Sequence, residues 1–128
     1  MIARGVVASC CAYKADPPGF GVGISIEADT SATGNVIDGA PRYGMLLGWG
    51  PYLRDVAATG NVIRRAPVGV AVSVVEGAGS AVISDNLIAG ADQGAVVGMR
   101  WAEMASGDLA RTGAGKYPQL LVERNRVS

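Results

Sequence analysis

The stretch Ala58-Thr59-Gly60-Asn61-Val62-Ile63 has an earlier counterpart in Ala32-Thr33-Gly34-Asn35-Val36-Ile37 and a later one in Ile83-Ser84-Asp85-Asn86-Leu87-Ile88. The asparagines stand 26 and 25 residues apart, and a fourth, Asn125, follows 39 residues after Asn86, one more period plus an insertion of about 14 residues. Self-similarity at this spacing marks a chain that stacks one supersecondary unit on the next.

Each period holds a second landmark. A glycine stands nine residues after Asn35 (Gly44), eight after Asn61 (Gly69) and eight after Asn86 (Gly94), and each opens a short apolar run: Met45-Leu46-Leu47-Gly48-Trp49, Val70-Ala71-Val72-Ser73-Val74 and Ala95-Val96-Val97-Gly98-Met99. Gly23 opens a similar run, Ile24-Ser25-Ile26-Glu27, one period earlier. A further run precedes each asparagine, such as Ser80-Ala81-Val82-Ile83, and two or three apolar residues follow it. These runs are strand-length and rich in branched side chains, which predicts three short strands and three bends per period. Helices compete poorly, because 19 glycines and 6 prolines in 128 residues interrupt the windows that could show a 3.6-residue period. The exception is Arg100-Trp101-Ala102-Glu103-Met104, expected to form a turn or two of helix that Ser106-Gly107-Asp108 ends.

Three strands in about 25 residues predict an all-β fold, a right-handed single-stranded parallel β-helix. That is a three-sheet solenoid of about four coils, with residues 21–128 in the coils, an insertion at about 100–118, and residues 1–20 as an N-terminal cap or irregular segment. Leucine-rich repeats need a leucine ladder, and propeller blades need nearly twice the length. Asn35, Asn61, Asn86 and Asn125 are expected to occupy left-handed bends and to bond amide to amide through the stack. The glycine before each run is expected to serve the adjacent bend. The Asp16-Pro17-Pro18-Gly19 stretch reads as a hinge-like break.

Composition narrows the function. Eleven basic and eleven acidic residues cancel and are scattered, so no concentrated positive surface for nucleic acid is expected. No apolar run reaches the ~18 residues of a membrane span. Cys10 and Cys11 are adjacent and read as small hydrophobes, and Val7-Ala8-Ser9-Cys10 has too short an apolar lead for a lipoprotein signal. Gly19-Phe20-Gly21-Val22-Gly23 lacks the helix of a dinucleotide loop, and Ala114-Gly115-Lys116-Tyr117 lacks the hydroxyl of a phosphate loop, so both read as bends and no cofactor is expected.

The phrases Gly23-Ile24-Ser25-Ile26-Glu27-Ala28-Asp29, Thr33-Gly34-Asn35-Val36-Ile37, Gly48-Trp49-Gly50-Pro51-Tyr52-Leu53-Arg54-Asp55-Val56 and Val97-Gly98-Met99-Arg100-Trp101 resemble the C-terminal part of the twin-arginine-translocated uncharacterised repeat proteins, of the pectin-lyase-like parallel β-helix superfamily. The resemblance spans roughly Gly21 to Ser128 and leaves out Met1 to Phe20, and Arg64-Arg65 lies inside a coil where it cannot serve as an export signal. It implies the fold and exported or periplasmic relatives, and no reaction. The wider superfamily includes polysaccharide lyases and hydrolases, but none of their motifs maps onto this chain residue by residue.

Alternation along the post-glycine strands tests the enzyme reading. With Ile24, Ile26, Met45, Leu47, Val70, Val72, Ala95 and Val97 inward, the outward rows are Ser25, Leu46, Ala71, Val96 and Glu27, Gly48, Ser73, Gly98, almost bare of catalytic groups. Glycoside hydrolysis normally uses two carboxylates some 5 to 9 Å apart. Histidine is absent, and Asp29, Asp38, Asp55, Glu76, Asp85 and Asp92 fall at different phases of the repeat, so no metal site is expected. The remaining acid pair would be Glu103 with Asp108 in the insertion. Trp49, Tyr52 and Trp101 lie five, eight and seven residues past their glycines, which gathers them at one bend, with Tyr117 nearby. With Arg54, Asp55, Arg100 and Glu103 beside them they form a candidate sugar-binding surface, although tryptophans at a bend also serve to roof an insertion. The expectation is a non-catalytic structural or carbohydrate-binding module, with a polysaccharide lyase or glycoside hydrolase as the rival. The last coil is begun and not completed, so either the chain is a piece of a longer β-helix or its open strand edges are covered by another copy, and a homo-oligomer formed through the coil ends is expected.

Overall fold

The computed structural model describes residues 21–128 and, within residues 1–20, the backbone of two strand pieces. Cys10, Cys11 and the Asp16–Gly19 break lie outside the described residues. Among the described residues, fifteen strands form three five-stranded sheets, which the chain visits in rotation. The first sheet stacks β1 (Ile2–Ala3), β4 (Ala28–Thr33), β7 (Arg54–Thr59), β10 (Ala81–Ser84) and β14 (Leu120–Glu123). The second stacks β2 (Val6–Ala8), β5 (Val36–Asp38), β8 (Val62–Arg64), β11 (Leu87–Ala89) and β15 (Arg126–Val127). The third stacks β3 (Val22–Ile26), β6 (Tyr43–Leu47), β9 (Val68–Ser73), β12 (Gly94–Arg100) and β13 (Glu103–Asp108). Every pairing is parallel except β12 with β13, an arrangement compatible with a β-helix. Ile2–Ala3 and Val6–Ala8 thus contribute a rung to two of the sheets.

Repeat words become registers. Ile37 pairs with Ile63 and Ile63 with Ile88, so the last residue of each Asn-Val-Ile or Asn-Leu-Ile word forms an isoleucine column that is at most 1% exposed. Facing it, Gly23, Gly44 and Gly69 hold one rank of the third sheet. These glycines lie inside strands rather than at bends. A Cβ on Gly44 would come within 2.5 Å of both the Gly69 carbonyl oxygen and the Ile63 Cγ2, so the residue type is set by close packing of glycine rank on isoleucine column. Ala95 takes this rank in the next strand, because Val96, not Ala95, pairs with Val70. The expected inward set therefore slips by one residue in β12: Val96 enters the core and Val97 joins the outward row of Leu46 and Ala71. A one-residue slip exchanges the two faces, and Gly94, with φ +148°, lies one place ahead of the glycine rank.

The asparagines stack. The Nδ2 of Asn35 donates to the Oδ1 of Asn61 at 3.1 Å, that of Asn61 to Asn86 at 3.0 Å, and that of Asn86 to Asn125 at 2.9 Å. The same three acceptors also receive the backbone N–H of Asn35, Asn61 and Asn86 at 3.0, 2.9 and 3.2 Å. The asparagines themselves do not carry the left-handed backbone; the residue before each one does, at Gly34 (φ 70°), Gly60 (φ 67°), Asp85 (φ 58°) and Arg124 (φ 53°). The turn is made one residue early, which leaves the amide pointing along the stack, where Asn35, Asn61 and Asn86 are buried.

The insertion forms a hairpin rather than the helix expected over Arg100–Met104. The chain turns at Trp101-Ala102, with Trp101 at φ 56°, and returns antiparallel as β13, adding the fifth strand to the third sheet before β14 and β15 extend the other two. Helix α1 (Leu109–Thr112) starts where the expected one was to end. The Asp108 carboxylate caps it through Ala110 N–H at 3.0 Å and also accepts from the N–H groups of Ala95 and Val96 at 3.1 and 3.2 Å. Leu109, 4% exposed, then joins the core. Sequence alone favoured helix for the hairpin strand because β13 faces solvent over most of its length and shows no apolar alternation.

Candidate functional site

The third sheet and the segments that leave it position most of the aromatic residues. After β6 the chain folds back on itself, with Trp49 and Tyr52 exchanging backbone hydrogen bonds at 3.1 and 3.2 Å around Gly50-Pro51. The Ser73 hydroxyl holds the Gly50 carbonyl. The hairpin tip then brings Trp101 against Gly50, so closely that the indole occupies the space of a Cβ, and its ring meets Trp49 edge-on with centroids 5.7 Å apart and planes at 77°. The two tryptophans do gather, as the spacing predicted. They remain 37% and 45% exposed, so part of each ring faces solvent.

Other expected members are dispersed. Arg100 and Glu103 are cross-strand partners at the hairpin tip, exposed and adjoining Trp101. Tyr52, 65% exposed, lines a separate groove of about 450 Å³ with Arg54, Glu27 and Pro51. The Arg54 guanidinium pairs with Asp29 in the strand of the previous period, and that hydrogen bond holds the Asp29 carboxyl below its ordinary range, with burial a smaller opposing influence. Asp55 is exposed on a left-handed backbone, φ 50°. Tyr117 packs against the core and lines a third hollow with Lys116.

Three carboxylates, Asp29, Asp38 and Asp85, hold successive layers together. Arg65 binds Asp38 at 2.6 Å and Arg124 binds Asp85 through both carboxylate oxygens, at 3.0 and 3.2 Å. In each case the guanidinium hydrogen bond lowers the carboxyl's pKa. Glu103 and Asp108 do not form an acid pair. Glu103 stands opposite Arg100 at the hairpin tip, whereas Asp108 lies beyond a bulge opposite Val97 and spends its carboxylate on the N–H groups of Ala95, Val96 and Ala110. Among the described residues, no three acidic, histidine or cysteine side chains converge as metal ligands, and no helix is long and apolar enough to cross a membrane.

Sequence reasoning passed over Arg42 and Tyr43. They border a cleft of about 390 Å³ with Val22, Leu46, Trp49 and Ala102, on the outward face of the third sheet. The Arg42 guanidinium lies 5.0 Å over the Tyr43 ring and donates to the Ala102 carbonyl at 3.2 Å, tying the hairpin tip to β6. The available signal was the row itself: Tyr43 is the one polar-tipped residue in register with Val22 and Val68. The chain matches no protein-family model, no curated protein and no solved structure.

Proposed function

We propose that the chain is a right-handed parallel β-helix of about four coils of ~25 residues that works as a non-catalytic structural or binding module, receiving a glycan on the face formed by Trp49 and Trp101. The observation that carries this reading is the edge-on tryptophan pair, delivered by two separate segments and left partly open to solvent. Flat apolar ring faces of this kind stack on sugar rings, and the adjoining Arg100 and Glu103 supply hydrogen-bond partners for hydroxyls. A non-catalytic role is favoured by Asp29, Asp38 and Asp85, whose carboxyls are held below the ordinary range, whereas a glycosidase acid needs a raised one. The family reading, with exported relatives, and homo-oligomerisation through the coil ends belong to the same proposal.

Affinity electrophoresis against a panel of polysaccharides tests it. Retardation without turnover, lost in Trp101→Ala but kept in Tyr117→Phe, is the expected result. Release of unsaturated or reducing-end products from the polymers would overturn the non-catalytic reading and restore the lyase or hydrolase.

A further inference from the structure

We propose that the cleft beside Tyr43 is a binding site for a small monocarboxylate with an apolar body, such as an aryl or branched-alkyl acid. This does not depend on the glycan reading, which concerns the solvent face of the tryptophan pair. The cleft, at about 390 Å³, is in the range of small-ligand pockets, and Val22, Leu46, Trp49 and Ala102 give it apolar walls. A sugar would bring several hydroxyls into a space with few polar partners; an apolar body would not.

Arg42 breaks that apolar lining, and the Tyr43 hydroxyl lies buried just beneath it. The Tyr43 side chain is 5% exposed, and its hydroxyl is buried with no hydrogen-bond partner among the described residues. A buried, unpaired hydroxyl destabilises a fold, so a group that pairs it is bound with a gain that a surface hydroxyl would not give. Beside it the Arg42 guanidinium, half-buried and stacked on the same ring, spends one nitrogen on the Ala102 carbonyl and has no acidic partner among the described residues. Arg54, Arg65 and Arg124 each have one. A carboxylate has acceptor capacity for both groups, taking the Tyr43 O–H on one oxygen and an Arg42 N–H on the other while the body lies against Leu46 and Trp49. A neutral amide of the same shape keeps the hydroxyl contact and loses the ion pair.

The test titrates the full chain with sodium phenylacetate, following the fluorescence of its two tryptophans, and repeats the titration with phenylacetamide. Saturable binding is expected, about tenfold tighter for the anion than for the amide. Tyr43→Phe should weaken the anion about fivefold and raise the melting temperature, because it removes the unpaired hydroxyl. Arg42→Gln should weaken the anion about tenfold, and Arg42→Lys should recover part of the loss. No saturation by about 10 mM, equal affinity for acid and amide, or an unchanged affinity in Tyr43→Phe would each overturn the proposal. The acid-to-amide comparison on the unmodified chain keeps the proposal decidable if a variant fails to fold.

Discussion

Replacing Asn61 by alanine probes the ladder at its centre. Asn61 is 1% exposed, and its amide makes four hydrogen bonds: Nδ2 donates to Asn86 Oδ1 and Ala32 O, and Oδ1 accepts from the N–H and Nδ2 of Asn35. Each such bond is worth about 0.5–1.5 kcal/mol net, and a buried group deprived of its partner costs about 1–3 kcal/mol. Asn86 Oδ1 keeps the Asn61 N–H, so the main losses fall on Asn35 and on the Ala32 carbonyl. The expected destabilisation is about 3–5 kcal/mol, a large part of the 5–15 kcal/mol typical of a domain. In melting temperature that is roughly 10–20 °C. Asn125→Ala, at the partly exposed end, loses three bonds and should cost about 1–2 kcal/mol. Asn61→Asp keeps the shape but sets a carboxylate against two acceptors, which raises its pKa in the folded state. The deficit of Asn61→Asp should therefore be present above the unfolded carboxyl pKa of about 3.9 and shrink as pH falls toward it. Urea denaturation followed by far-ultraviolet circular dichroism measures all three. If Asn61→Ala were no more costly than Asn125→Ala, the reasoning would be wrong.

Gly44→Ala should cost about 3 kcal/mol, because the new methyl meets the Gly69 carbonyl and Ile63 and neither can retreat; Ala95→Gly, at the same rank, should cost only about 0.5–1 kcal/mol in the same denaturation assay. The carboxyls of Asp29, Asp38 and Asp85 are depressed by their arginine partners, so the stability they contribute is present above about pH 4 and lost as pH falls through their folded values. Melting curves from pH 7 to 2 should therefore fall below pH 4, less steeply in the triple Asp→Asn variant and less steeply in high salt.

The repeat words carried the all-β pattern and the ladder because both follow from strict recurrence: Asn-Val-Ile at one spacing places amide on amide and isoleucine on isoleucine. What recurrence could not give is register to the residue. The glycine landmark is one residue early in the last period, and only the pairing of Val96 with Val70 reveals that Ala95 has taken the glycine rank. The left-handed position hid for a related reason. Gly, Gly, Asp and Arg occupy it in the four words, so the variable residue makes the turn and the constant one makes the hydrogen bonds. Within the insertion, no repeat constrained the reading. Local propensity suggested helix at Arg100–Met104, while the edge of β12 recruited that stretch as a strand and Asp108 delayed the helix by capping it. Of the candidate site, Trp49 and Trp101 were legible from their phase, whereas Tyr117 closes the insertion, whose path the period does not determine. Arg42 and Tyr43 gave no periodic signal, because no other period carries an arginine or tyrosine just before its glycine.

The central claim is that asparagines from successive periods are stacked and shielded from water. Side-chain amide protons in isotope-edited nuclear magnetic resonance test it most directly. The account predicts slowly exchanging Nδ2 protons for Asn61 and Asn86, with nuclear Overhauser contacts linking Asn35 to Asn61 and Asn61 to Asn86. Side-chain amides that exchange at solvent rates, with no contacts between residues 25 or 26 apart, would contradict it.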